Sequence, residues 1–321
     1  MLFQMMFAII TPALVSGAIA ERMRFKAYVL FMVLWVTVIY FPLCHMVWGK
    51  GGLFNWSLGG RLPVLDFAGG LVVHVSSGAS ALVCALVLGK RIGFPSEPMP
   101  PHNVVLSLIG VGLLWVGWFG FNAGSALNAG ALASSAFAAT HFSATGAAIG
   151  WGATEWLLKG KPSVLGVASG MVAGLATITP ASGFVSVPAA FVIGLTGGVV
   201  CYTAVTKLKS IFRYDDSLDV FGVHGVGSAL GLLMLGLFAS AEVNPAIGNT
   251  FSIGSKVVSL AGGWSQLGNQ FIGLAFTSVL AAAGTLVILK VVNAVTELRV
   301  SPEEESSGLD LAEHGERAYN D

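Results

Sequence analysis

Long apolar runs separated by short polar breaks dominate the chain. Nine such runs cover roughly residues 1–20, 27–49, 67–89, 104–126, 134–158, 164–178, 187–206, 220–240 and 269–293. A helix needs about 20 apolar residues to cross a hydrocarbon core of about 30 Å. Each run therefore predicts a membrane-crossing helix, the sixth being short and glycine-rich. The runs are continuous rather than alternating, which excludes a transmembrane β-barrel. The first lacks the basic flank and small-residue cleavage site of a signal peptide. The expected fold class is all-α, a polytopic transmembrane helical bundle of about nine spans. Residues 1–293 would form the membrane domain and residues 294–321 a polar tail.

Composition narrows the picture. Only 10% of residues are charged, against about 25% in soluble domains. With 55% hydrophobic residues and a mean hydropathy of +0.80, a disordered chain, a basic nucleic-acid binder and a conventional soluble enzyme are all excluded. The 42 glycines show no collagen period and suit closely packed membrane helices. The formal net charge of zero hides an asymmetry. Arg22, Arg24, Lys26, Lys90, Arg91, Lys159, Lys161, Lys207, Lys209 and Arg213 follow the first, third, fifth and seventh runs; Lys50, Arg61 and Lys256 are all that the alternate loops hold. The positive-inside rule puts the first group in the cytoplasm. The N-terminus is then expected outside and the tail inside, a parity that requires all nine spans.

Ionisable groups at membrane depth are expensive and usually face a partner or a cavity. His74 lies in the third run and His224 in the eighth, each among apolar or small neighbours. His45 and His141 lie nearer span ends and read as interfacial or packed groups. Asp66 precedes His74 by eight residues, and Asp219 precedes His224 by five. At about 1.5 Å per residue, both imidazoles should lie roughly 8–12 Å inside their helix starts. Since the two spans run in opposite directions, the histidines are expected to meet near the midplane. Gly78 follows His74 by four residues and Gly227 follows His224 by three, a faint sign of an inverted repeat. The plainer reading is that each ring bonds a backbone carbonyl and packs. No third ligand at metal spacing is present, and no catalytic triad or metalloprotease motif. Neither a cofactor nor an enzymatic activity is expected. Lys290 is the one lysine within a run, close enough to a cytoplasmic end to snorkel. Cys44, Cys84 and Cys201 read as small apolar residues.

Four segments carry a resemblance. They are Ala20-Glu21-Arg22-Met23-Arg24-Phe25, Asp66-Phe67-Ala68-Gly69-Gly70 with His74, Trp118-Phe119-Gly120-Phe121-Asn122-Ala123-Gly124-Ser125, and Asp219-Val220-Phe221-Gly222-Val223-His224-Gly225. In order and character they resemble the ammonium transporter family (Amt/Mep/Rh), its bacterial Amt branch best. Gly308-Leu309-Asp310 and His314-Gly315-Glu316-Arg317-Ala318-Tyr319 extend the likeness into the tail. Family members usually have eleven spans. Phe3-Gln4-Met5-Met6-Phe7 matches a motif of the family's third span, so the chain is expected to lack the first two helices of the pattern.

The resemblance implies an ammonium transporter. Phe3, Trp48 and Ser125 match an outer vestibule that recruits ammonium; without the family, Trp48 reads as a membrane-interface aromatic. Phe7 and Phe121 match a pair of stacked rings that gates the pore. His74 and His224 match the twin histidines of an apolar lumen that conducts ammonia once ammonium is deprotonated. Asp66 matches an acid near the vestibule, expected to cap its helix with an electrostatic bonus. Thr179 matches an outer turn beside the vestibule, and Tyr40 is a weaker candidate there. The likeness further implies a homotrimer in the bacterial inner membrane, a tail against neighbouring subunits, and a PII-type signalling protein as a partner. The alternatives are an ammonium sensor that reports through a partner, and a non-transporting fragment.

Overall fold

The computed structural model describes residues 1–248, 251–253, 256–317 and 319. Of the tail residues considered above, Ala318, Asn320 and Asp321 lie outside them, and the Lys256 side chain is not described. Nine helices fall where the apolar runs predict them. They are α1 Leu2–Ile19, α2 Phe25–Trp48, α3 Gly70–Leu88, α4 Val104–Gly124, α5 Ala131–Lys159, α6 Val164–Ile178, α7 Val187–Phe212, α8 Phe221–Phe238 and α9 Trp264–Val295. Seven are long and apolar enough to cross a membrane on their own terms. The exceptions are α6, at 15 residues, and α5, which is long but rich in Ser, Thr, Gly and Ala. A short hairpin of β1 Phe251–Ile253 and β2 Lys256–Val258 lies in the loop before α9. Two short tail helices follow, α10 Pro302–Ser307 and α11 Leu309–His314.

Small residues set how closely the helices approach. A Cβ on Gly194 or Gly198 of α7 would collide with backbone of α5, at Ser143 and Ala147 respectively. A Cβ on Gly78 of α3 would strike the backbone of Gly225 on α8. Without side chains at these points the backbones touch, which is how helices gain dispersion contact where lipid supplies no hydrophobic drive. At the crossing of α3 and α8, close approach brings the two histidine-bearing turns together.

The loops divide into two sets. Those following α1, α3 and α7 are knotted by two arginines. The fully buried Arg22 donates to the carbonyls of Gly89 and Asp215 and to Ser217. Arg91 forms a two-pronged pair with Asp215 and also reaches Glu21. Burial alone would push Asp215 up; the hydrogen bonds and charge of Arg91, with Arg22 behind it, hold its carboxyl below the ordinary value. The tail joins the same end: Arg24 pairs with Glu297, Glu304 and Glu313, and Arg299 with Glu305. Ser301 and Glu304 close a reciprocal capping box on α10. The loops after α2, α6 and α8 form the second set. Phe67 donates to the Pro180 carbonyl and Ser240 to that of Phe184. This grouping follows the alternation of basic and non-basic loops along the sequence.

Candidate functional site

Both histidines sit on π-helical turns, Gly70–Val75 on α3 and Phe221–Gly225 on α8. Each turn begins at a buried aspartate. Asp66 accepts N–H bonds from Gly69 and Gly70 on one oxygen and from Leu71 and Val72 on the other, at 2.6–3.3 Å. These are the donors that a helix start leaves orphaned. The turn is reached through Gly69, whose φ of +108° suits a residue without Cβ. On α8 the acid doing this work is Asp216, whose Oδ2 accepts from the Phe221 N–H at 2.7 Å.

This corrects the pairing of Asp219 with His224. Asp216 lies eight residues before His224, the same interval as from Asp66 to His74. Asp219 takes the place that Gly69 holds on α3, with a left-handed φ of +60°, and its carboxylate turns to Lys209 at 2.7 Å. Burial pushes the Asp66 and Asp216 carboxyls up, each to about 6, against the pull of the N–H donors.

The rings meet. His74 Nδ1 and His224 Nδ1 are 3.2 Å apart, and the planes lie within 14° of parallel. A hydrogen bond across that gap needs one protonated and one bare nitrogen. With both rings neutral, the ring that donates from Nδ1 has a bare Nε2, and its partner carries its proton on Nε2. The pair thus offers one acceptor and one donor at its two Nε2 atoms, the assignment between rings being interchangeable. His74 Nε2 is buried, and among the described residues it has no hydrogen-bond partner. Buried polar atoms are normally satisfied, so this nitrogen is a candidate hydrogen-bonding position in apolar surroundings.

Aromatic rings extend from the pair. The Trp118 indole stacks on His74 at 5.3 Å and lies within 6° of the His224 plane at 6.4 Å. Its Nε1 donates to Thr179 Oγ1, and that hydroxyl donates to the Leu175 carbonyl. Thr179 is fully buried and is therefore placed as a support for Trp118. Phe121, one turn on from Trp118, is 6.0 Å from His74 and stacks on Phe7 at 4.2 Å and 18°. Phe7 in turn touches Phe3 at 4.9 Å and Trp48 edge-on at 5.8 Å. Trp48 Nε1 donates to the Asp66 carbonyl. Ser125, half-buried at the end of α4, donates to the Phe121 carbonyl, and its oxygen accepts no hydrogen bond among the described residues. Phe3 lies against Gly124 beside it.

The candidates taken from the sequence thus form one continuous column: Phe3, Trp48 and Ser125 at one end, Phe7 and Phe121 stacked next, then His74 and His224. Asp66 and Thr179 flank it. Tyr40 is buried and accepts from Gln4. His45 and His141 are exposed, away from the pair. Among the described residues no three His, Cys, Asp or Glu side chains cluster to hold a metal ion. Two site residues were not singled out from sequence, Trp118 and Asp216. A signal existed for Trp118, since it precedes Phe121 by three residues and shares its helix face.

Known proteins resemble the chain in sequence and in fold. The sequence model of the Ammonium Transporter Family matches residues 1–319. The chain is 46% identical to the ammonium transporter of Bacillus subtilis (strain 168) over 321 residues, which cover all of this chain and 76% of that protein. It is 45% identical to ammonium transporter Amt1 of Archaeoglobus fulgidus, covering 99% and 77%. Among solved structures it resembles Saccharomyces cerevisiae Mep2, at TM-score 0.81 and 37% identity over 93% of this chain and 68% of the other. It also resembles a protein described as Sensor Amt Protein, at TM-score 0.86 and 30% identity over 97% and 75%.

Proposed function

This chain belongs to the ammonium transporter family, a family of multi-pass membrane transport proteins rather than enzymes, and we propose that it moves ammonium by deprotonating it and conducting ammonia past His74 and His224. The observation that carries this reading is a buried histidine pair behind stacked phenylalanines, with no protein partner for His74 Nε2 among the described residues. Bringing a bare cation into such surroundings is far costlier than bringing in a neutral amine. Potassium and sodium have no proton to give up and are excluded on that ground. Ammonia can donate to one Nε2 and accept from the other, which matches the one-acceptor, one-donor character of the pair.

In this reading Phe3 and Trp48 attract the cation through their ring faces, a contribution of about 0.5–2 kcal/mol depending on desolvation. Ser125 accepts an N–H bond that a metal cation cannot make. Phe7 and Phe121 part to admit substrate. The assembly is a homotrimer with one pore per subunit, in the bacterial inner membrane, with the basic loops and the tail on the cytoplasmic side. That end is where a PII-type signalling protein would bind. The experiment is reconstitution in liposomes, recording current or lumen pH under an ammonium or methylammonium gradient. A response above that of empty liposomes is expected. Its absence from a folded, reconstituted trimer would defeat transport by this chain.

The fit to the Sensor Amt Protein fold favours one second reading, an ammonium sensor acting through a separate partner. Substrate-dependent binding of a cytoplasmic partner without measurable flux would select it.

A further inference from the structure

Away from the histidine column, at the end of the bundle where the basic loops meet, α3 and α9 leave a cavity of about 570 Å³. Val87 and Leu88 of α3 and Leu286 and Leu289 of α9 form its apolar wall; Lys290 and Arg299 also line it. It is a groove open to the outside rather than an enclosed void.

The charges around it are unequally satisfied. Arg299 is occupied by Glu305 and by the carbonyls of Leu88 and Lys90. Glu297, the acid at this cavity, pairs with Arg24 at 3.4 Å. Lys290 is different. It is exposed, and among the described residues no carboxylate lies within ion-pair distance of it. It is also the sole ionisable side chain between Trp264 and Val295. Five residues separate it from the end of α9, about 8 Å along the axis. That is a depth at which a lysine reaches the headgroup region while its stem lies along apolar surface. An unpaired ammonium above an apolar wall matches one class of ligand, which carries a phosphate and a hydrocarbon chain in the same molecule. A free anion would have no use for the leucines, and a neutral chain none for the ammonium.

We propose that this cavity binds an anionic phospholipid, its phosphate on Lys290 and an acyl chain along Leu286, Leu289, Val87 and Leu88. Basic pockets between helices at the cytoplasmic side recognise headgroups in this way. The site is independent of the histidine pair, so it stands whether or not the transport reading does.

The test is native mass spectrometry of the delipidated full chain, titrated with phosphatidylglycerol and with phosphatidylcholine of the same acyl length. The wild type should prefer the anionic lipid by about fivefold, the scale of one basic group at a membrane surface. Lys290→Gln should remove that preference while leaving phosphatidylcholine binding unchanged, and Lys290→Arg should keep it. Lys26→Gln, an exposed lysine elsewhere on the same end, should have no effect. Equal binding of the two lipids by the wild type would overturn the proposal. So would an undiminished preference in Lys290→Gln, which would leave Lys290 as a side chain that merely reaches for water. Displacement of the lipid by millimolar inorganic phosphate would also overturn it, by showing a small-anion site.

Discussion

Asp66 and Asp216 occupy matching places in the two halves of the bundle. Each stands eight residues before a buried histidine, and each accepts N–H groups at the mouth of a π-helical turn. The match extends to Gly69 and Asp219, which both adopt left-handed backbone just before those turns. The two halves therefore match at the turns that position the two imidazoles, and the acids belong to the scaffold that aims them.

Asp66→Asn tests that role. The amide keeps one acceptor oxygen and turns a donor toward the N–H groups that the second carboxylate oxygen now serves. Hydrogen bonds to a charged group contribute about 1.5–3 kcal/mol, and stranding buried donors costs a similar amount. A loss of several degrees in melting temperature in detergent is expected, larger than for Asp219→Asn, whose carboxylate meets only Lys209.

His74→Ala and His224→Ala should each lower methylammonium flux in liposomes by roughly tenfold, the factor belonging to one hydrogen bond of about 1.4 kcal/mol. Because the rings share one hydrogen bond, the double variant should fall well short of the product of the two single losses. Unchanged flux and unchanged potassium exclusion in both single variants would reduce the histidines to packing.

Trp118→Phe retains a ring over the histidines but removes the donor to Thr179, and Thr179→Val removes the acceptor. The two should have similar effects on flux, and combining them should add little. Simple addition would mean that the bond does not hold the indole in place.

Acid should weaken the end of the bundle where the basic loops meet. The Asp215 carboxyl is held below its ordinary value of about 3.9 by Arg91 and Arg22. Its stabilising contribution is therefore complete above that ordinary value and is lost as pH falls through the depressed native one. Melting temperature against pH between 7 and 3 should drop at the acid end, and Asp215→Asn should be less stable at pH 7 with a shallower drop.

Gly78→Ala should destabilise by about 1–3 kcal/mol or more, as overpacking does, because the new methyl group meets the Gly225 backbone. Gly268→Ala on α9, where nothing lies within 4 Å, should be neutral to slightly stabilising. A thermal-shift comparison of the two separates close approach from glycine content alone.

Much of this molecule was legible in the sequence because membrane helices are written in long apolar runs. The nine helices follow those runs, and the basic loops follow the ends they share. His74 and His224 stood out because few ionisable groups lie at depth. What stayed hidden depends on tertiary contact. A π-helical turn has no signature in the 3.6-residue pattern. Asp219 drew notice as the acid nearest His224 within a motif, whereas Asp216 holds the capping position because the chain folds back through a left-handed residue. Trp118 read as one apolar residue in a motif until its stacking on both histidines and its bond to Thr179 were visible. The polar pattern of the tail carried no sign of its ties to the bundle, which run from Arg24 to Glu304 and from Arg299 to the Leu88 carbonyl.

The π-helical turns make the meeting of the two imidazoles a matter of phase. Such a turn is an α-helix carrying one residue more than its pitch requires. Deleting a single residue between Asp66 and His74 would close the turn to the ordinary α pitch and leave the later turns of α3 in phase. Gly78 would keep its crossing with Gly225, while His74 would stand seven residues from its capping acid instead of eight. The interval of eight residues is thus a length standard, kept in duplicate, that the chemistry of either histidine inherits.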